Sequence, residues 1–267
     1  MQDHLSHTKT AVDRLAPGYD DQESSNAIIK WMRSLVQRVY LSYFPSCSEL
    51  LELNSGTGTD AVYLAGKGIK IFATDISPAM IDILKAKVNA HGLGSMIKAE
   101  PYSFDQISKI DKHDFDGVIS NFGGLNCIND FNKLSHDLYN RLKPGGLFVA
   151  AVMNTACPWE IFYYLLKFKL GEAFRRFHKE GIEADFNKEK VRTFYFSPHR
   201  FGKYFSRYFK TERIYTLGLF TPAPYMYGIY DRFPFLVKTL MKIDEAVKGV
   251  FPFNRFADHF IIVMRKK

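Results

Sequence analysis

Cysteine is scarce. Cys47, Cys127 and Cys157 are the only three in 267 residues, too few and too scattered for a disulfide framework or a C-x-x-C metal site. A reducing, cytoplasmic setting without a bound metal is the expectation. Long apolar runs are missing too. No stretch approaches the roughly 20 residues needed to span a bilayer, and the polar opening MQDHLSHTKT has no apolar core for a signal peptide. Internal repeats and low-complexity tracts are also lacking. What remains is a chain long enough to bury one substantial core and carry a substrate-side elaboration.

The most informative segment is ELNSGTGTD, residues 52–60, which closes an apolar run starting at Leu50. Gly56 and Gly58 can take backbone angles barred to residues with a Cβ, and they let the main chain approach a ligand closely. The helix expected after them offers unpaired N–H groups. Two cofactor classes fit such a turn. Gly56, Gly58 and Ala61 satisfy the G-x-G-x-x-[GA] pattern for dinucleotides, a weak match by itself. A dinucleotide would set its pyrophosphate in the turn, and Glu52, four residues before Gly56, would repel that anion. A carboxylate there suits a cationic group, such as the amino group of an amino-acid moiety. That points to S-adenosylmethionine.

A second acid supports this. KIFAT, residues 70–74, is a short apolar strand leading into Asp75, Ile76 and Ser77. Ligands of open parallel sheets bind outside the carboxyl ends of the strands, so Asp75 would face a ribose and accept from both hydroxyls. The alternative is a solvated turn acid. Ser77 and Pro78 start a helix as cap and first residue, which places Met80 either near an adenine face or in the core.

With these residues in hand, the chain resembles the class I S-adenosylmethionine-dependent methyltransferases over residues 46–154. Four segments carry the resemblance in order: ELNSGTG, TDIS, DFDGVISN ending at Asn121, and LKPGG at 142–146. The resemblance implies that Glu52 and the backbone of Asn54, Ser55, Gly56 and Gly58 hold the methionine moiety. It implies that Asp75 and Ile76 hold the ribose, Glu100 lies near the adenine amino group, and Asn121 with Phe122 lies beneath the sulfonium. Asn54 stands where the family usually has glycine; asparagine also tolerates left-handed angles. Glu100 replaces the commoner aspartate.

Short apolar runs at 49–54, 69–74, 95–99, 115–120 and 147–153 read as strands buried on both faces. Helical patterns at 58–67, 78–91 and 129–142 alternate with them, giving an α/β fold with a parallel sheet and helices on both faces. The resemblance implies a Rossmann-like, doubly wound, mostly parallel seven-stranded sheet, with a helical, aromatic cap inserted before the last strands. It also implies that HFIIVM, residues 259–264, enters antiparallel at the sheet edge. The expected organisation is an N-terminal helical segment (1–45), the cofactor core (46–154), a substrate cap (155–256) and a final core strand (257–267).

Charge is uneven. Residues 1–154 hold 15 Lys and Arg against 17 Asp and Glu, a net of −2, while residues 155–267 hold 21 against 11, a net of +10. The latter also hold 27 of the 41 aromatics. Residues 158–179 suit a helix with a broad buried face. They read as a lid packed on the core, as a basic amphipathic surface for anionic lipid or a lipid-linked acceptor, or as a docking face for nucleic acid. The last is disfavoured, because Phe-Gly-Gly follows Asn121 in place of the Pro-Pro-aromatic of enzymes that methylate base amino groups. Residues 221–235, rich in proline and rings, read as an irregular loop in which Tyr225, Tyr227 and Tyr230 either surround an acceptor or pack the bend. In related enzymes an N-terminal segment like DRLAPGYD, residues 13–20, closes over the cofactor; Tyr19 is the tyrosine that would reach the site.

Methyl transfer from a sulfonium needs chiefly alignment of donor and acceptor, and a base only where the acceptor must lose a proton. None of the eight histidines sits in a catalytic motif. His178, His199 and His259 are weak candidates for a base and read better as surface or structural residues. The expected function is therefore methyl transfer from S-adenosylmethionine to the oxygen or nitrogen of a small or lipid-like acceptor. The rivals are an RNA or protein methyltransferase docking through the basic cap, a binding protein without transfer, and lastly a dinucleotide oxidoreductase.

Overall fold

A computed structural model describes residues 2–186 and 189–267. Five short apolar segments form parallel strands: β1 (Glu49–Leu53), β2 (Lys70–Thr74), β3 (Ile97–Glu100), β4 (Phe115–Ser120) and β5 (Leu142–Met153). Leu50 pairs beside Ile71 on one side and Gly117 on the other, and the β4–β5 register shifts between Phe115 and Gly117. β6 (Ile182–Phe186) and β7 (Glu189–Thr193) make a separate hairpin, while β8 (Phe209–Leu217) and β9 (His259–Lys266) complete the main sheet. The sheet order is β3-β2-β1-β4-β5-β9-β8. Strand order reverses between β1 and β4, which opens a crevice at the carboxyl ends of those strands.

Helices cover both faces. Three precede the sheet: α1 (Gln2–Leu15), α2 (Tyr19–Ser25) and α3 (Ala27–Tyr43). The crossovers are α4 (Thr59–Ala65), α5 (Pro78–Ala90) and α6 (Asn132–Arg141). After β5 come α7 (Pro158–Leu166), α8 (Leu170–Ala173), α9 (Pro198–Phe205), α10 (Gly228–Arg232) and α11 (Pro234–Val247). Buried Leu35, Val36, Leu64 and Leu84 of α3–α5 pack one face of the sheet. Phe131, Leu138, Phe201 and Phe205, from α6, α9 and the turn before α6, pack the other. Gly117 lets the chain after α3 come close: a Cβ there would lie 2.2 Å from the Phe44 ring. Among the described residues no helix is long and apolar enough to cross a membrane, and no group of His, Cys, Asp or Glu could hold a metal ion.

Three expectations are corrected. The last strand is not at the sheet edge: β9 runs antiparallel between β5 and β8, and β8, drawn from inside residues 155–256, forms the edge. Sequence alone hid β8 because its solvent-side positions, Lys210, Thr211, Glu212 and Arg213, break the apolar pattern. Residues 158–179 are not one helix with a broad buried face. α7 stops at Leu166, Phe168 takes a positive φ of 56°, and within α7 the buried residue is Glu160. Residues 221–235 are more regular than expected, with a 3-10 turn at Pro224–Met226, then α10 and the start of α11. Pro224 and Pro234 sit in the first turns of their segments, where a missing N–H leaves no bond unmade.

Candidate active site

The crevice ends in two turns. Leaving β1, Asn54 takes φ 45°, Gly56 54° and Gly58 79°, so the chain folds back before α4. Gly58 is required for packing rather than for contact with a ligand, since a Cβ on it would lie 2.0 Å from Leu84 Cδ1. Leaving β2, the Asp75 carboxylate accepts from the backbone N–H of Gly56 and of Ser77, each at 2.9 Å. Ser77 in turn caps α5 by accepting from the Met80 N–H.

These turns and their neighbours line a cavity of about 160 Å³. Asn54, Gly56, Asp75, Ile76 and Met80 form its floor, and Tyr19 and Phe122 reach it from either side. Glu52, Ser55 and Asn121 line an adjoining recess that shares Tyr19, Asn54, Gly56 and Phe122. Ten of the twelve expected positions thus border one continuous space. Gly58 and Glu100 do not. Glu100 ends β3 outside the lining, with its carboxylate 3.9 Å from Lys98; Tyr102, Ser103 and Phe104 take the neighbouring wall. Met80 is 2% exposed and serves core and cavity together.

The recess is lined by charged groups, Glu23, Arg33, Glu52 and Asp60. Burial pushes the Glu52 carboxyl well above the usual carboxylate range, and the Asp60 carboxylate adds to this. Glu52 Oε2 and Ser55 Oγ are buried without a hydrogen-bond partner. Such orphans are expensive unless a ligand meets them. Arg33 crosses from α3 to pair with Asp60 at 2.5 Å and with Glu23 at 2.5 Å, and its guanidinium lies 4.7 Å from the Phe122 ring centre. Asn121 donates to the same Asp60 at 2.8 Å. Arg33 pairs with two other acids, and among the described residues Glu52, though within reach of the Arg33 charge, forms no ion pair.

The N-terminal helices roof the cavity. Leu5, Thr8, Val12 and Leu15 of α1 line it, opposite Val191 of β7 and Cys127. Asp13 accepts from the Ser77 hydroxyl, and Asp20 accepts from Thr57 Oγ1 and pairs with Lys87. Tyr19 lies over the glycine turn, its ring 3.9 Å from where a Gly56 Cβ would stand. Burial, with Glu23 beside it, pushes its phenol well above the usual tyrosine range, so it stays neutral. The Cys127 thiol is pushed up to about 12 by burial, which excludes a thiolate nucleophile at neutral pH. His178 and His199 are exposed. His259 is buried, its Nδ1 2.8 Å from Asp258 and its ring edge-on to Phe122. Tyr227 and Tyr230 stack on each other in the 221–235 bend, and Tyr225 donates to Glu160; none lines the cavity.

Sequence reasoning missed the roof of α1, the Arg33–Asp60–Glu23 cluster and the Tyr102–Phe104 wall. A lone arginine on the otherwise apolar face of α3 was the available signal for the second. The third carries a Ser103–Gln106 capping box, readable in sequence as S-x-x-Q.

A carboxylate without a paired cation at the end of β1, a second carboxylate at the end of β2 and an aromatic just after β4 fit an S-adenosylmethionine cradle. The comparisons agree. Residues 50–146 match the methyltransferase-domain family. The demethylmenaquinone methyltransferase of Clavibacter sepedonicus is 28% identical over 106 residues, which is 40% of this chain and 41% of that protein. The enzyme of the same name from Leptospira interrogans is 24% identical over 164 residues, 58% of this chain and 65% of that one. The chain therefore aligns with only 41% to 65% of these curated relatives' lengths. Among solved structures, a putative S-adenosylmethionine-dependent methyltransferase from Listeria monocytogenes superposes with a TM-score of 0.59 at 18% identity, over 88% of this chain and 99% of that one. Residues 50–146 thus carry a methyltransferase domain, and the chain shares the fold of S-adenosylmethionine-dependent methyltransferases.

Proposed function

We propose that the protein transfers the methyl group of S-adenosylmethionine to the oxygen or nitrogen of a small, apolar or lipid-like acceptor. One observation carries this reading: the acid-lined recess of Glu52 opens directly into a vault walled by Leu5, Val12, Leu15, Phe104 and Val191. The donor would lie across the recess and the Asp75 floor of the cavity, and an apolar acceptor would approach its methyl group from the apolar wall, past Phe122, which borders both spaces. The donor brings an already activated methyl group.

The chain's own part is placement. Glu52 would hold the donor's amino group, and Asp75 its ribose hydroxyls with the lone pairs not used by Gly56 and Ser77. Tyr19 closes over the turn and keeps water out, which strengthens both contacts in the low dielectric. Phe122, held at φ 41° and backed by Arg33, presents a rigid wall against which an acceptor ring can align. The curated relatives are named for demethylmenaquinone, and the apolar wall suits an acceptor of apolar character.

Incubation with methyl-labelled donor and separated lipid, small-molecule, protein and RNA fractions tests the reading. Label is expected in the lipid or small-molecule fraction. Label confined to RNA or protein would sink the acceptor class, and heat from NADH but none from S-adenosylhomocysteine would sink the cofactor.

A further inference from the structure

The segment after β5 is packed the wrong way round for a water-facing helix. α7 buries its one acid, Glu160, which is 1% exposed, and turns Phe162 (60%) and Leu166 (65%) outward. Glu160 is held from below by Arg175 at 2.6 Å, Arg176 at 2.9 Å and the Tyr225 hydroxyl at 2.7 Å. Arg176 continues to Asp258 at 2.7 Å, at the start of β9. Burial alone would raise the Glu160 carboxyl, but the two guanidiniums outweigh it and keep it below its usual range. This network fixes the helix's rotation, and with it the outward face.

Beyond α7 the same face continues through Phe168, 91% exposed, and Leu170, 64% exposed. Phe168 holds a positive φ of 56°, a conformation unfavourable for a bulky side chain, yet its ring gains almost no burial in return. Lys167 and Lys169 flank it, and neither pairs with a carboxylate among the described residues. Phe251, 74% exposed, sits on the adjoining turn. That turn is tied to α7 because the Trp159 indole donates to the Phe220 carbonyl and Phe220 packs on Phe253.

We infer that this face, α7 through Leu170 with the Phe251 turn, docks the protein peripherally on an anionic lipid bilayer. Outward rings and aliphatics enter the headgroup boundary while Lys167 and Lys169 meet lipid phosphates, as in interfacial amphipathic helices. Charge selects this occupant over a second copy, because a two-fold interface would set these lysines against themselves. Acyl chains accept the exposed leucines and phenyl rings alike, whereas Leu166 and Leu170 offer a base no stacking surface, so the face as a whole suits lipid better than nucleic acid. The inference goes beyond methyl transfer and is read without turnover.

Sedimentation with vesicles tests it, using phosphatidylcholine alone and phosphatidylcholine mixed equally with phosphatidylglycerol. The native protein should partition onto the mixed vesicles about tenfold or more better than onto the neutral ones. Phe168→Asp with Leu166→Asp should lose about tenfold or more, and Lys167→Glu with Lys169→Glu should erase the preference for the anionic vesicles. Unchanged calorimetric binding of S-adenosylhomocysteine shows that these variants remain folded and keeps this result separate from the cofactor reading. Equal partitioning of all variants, no binding to either vesicle, or a dimer abolished by Phe168→Asp would overturn the inference.

Discussion

Asp75 Oδ2 accepts the Gly56 N–H at 2.9 Å, so the acid ending the second strand braces the glycine turn that ends the first. The two strand ends form one device. Removing the carboxylate should loosen the turn and leave the ribose unheld together. Asp75→Ala is expected to weaken S-adenosylmethionine binding by about tenfold or more, the range for losing charge-assisted hydrogen bonds. Calorimetry gives the dissociation constant directly, and an unchanged value would remove Asp75 from the ribose.

The same carboxylate sets a pH dependence. Burial pushes Asp75 up to about 6 from an unfolded value of 3.8, against the backbone donors of Ser77 and Gly56. Folding therefore favours its protonated form. That contribution to stability is complete below about pH 4 and is lost as pH rises through about 6. Cofactor binding should run oppositely, because only the carboxylate accepts from both hydroxyls. S-adenosylhomocysteine affinity is expected to fall as pH drops through about 6, and Asp75→Asn should remove the Asp75 part of that fall while leaving the part that the raised Glu52 carboxyl contributes. A native affinity constant across that window would contradict the assignment.

Much of this site was legible because its signals are local. Glu52, Gly56 and Asp75 lie at strand ends whose apolar runs are short and uninterrupted, and both-face burial leaves such runs little freedom to read otherwise. The roof was not legible. α1 is polar by composition, and the few apolar residues it turns to the cavity, Leu5, Val12 and Leu15, gain meaning only from β7 and α5 across the space. β8 was missed for a related reason: its middle faces water, so only pairing with β9 makes it a strand. The inverted α7 marks the opposite limit. Its apolar count correctly signalled a helix, but the two arginines that turn Glu160 inward lie 15 and 16 residues away.

Gly58 separates a packing glycine from a ligand-contact glycine. Gly58→Ala would place a methyl 2.0 Å from Leu84 Cδ1 at φ 79°, combining a clash with left-handed strain. A loss of about 2–4 kcal/mol is expected from the two effects. Leu84→Ala in the same chain should not restore stability, because the backbone strain persists and a cavity is added. Thermal melts of the single and double variants measure this. A Gly58→Ala variant as stable as the native protein would show that α5 gives way more easily than its packing implies.

Glu52 offers the sharpest contrast between stability and binding. Its carboxyl is fully buried, its Oε2 has no partner, and its proton affinity is raised by burial and by Asp60. An acid so placed destabilises the ligand-free fold in its charged form, and a bound ammonium relieves that cost. Glu52→Gln keeps the shape and removes the charge. The ligand-free variant should therefore melt no lower than the native protein at neutral pH, while the stabilisation given by saturating S-adenosylmethionine should largely vanish. Native protein and variant are compared by thermal melts with and without the ligand. A variant that melts lower alone yet keeps its full ligand-induced shift would mean that Glu52 supports the strand and never meets the donor's amino group.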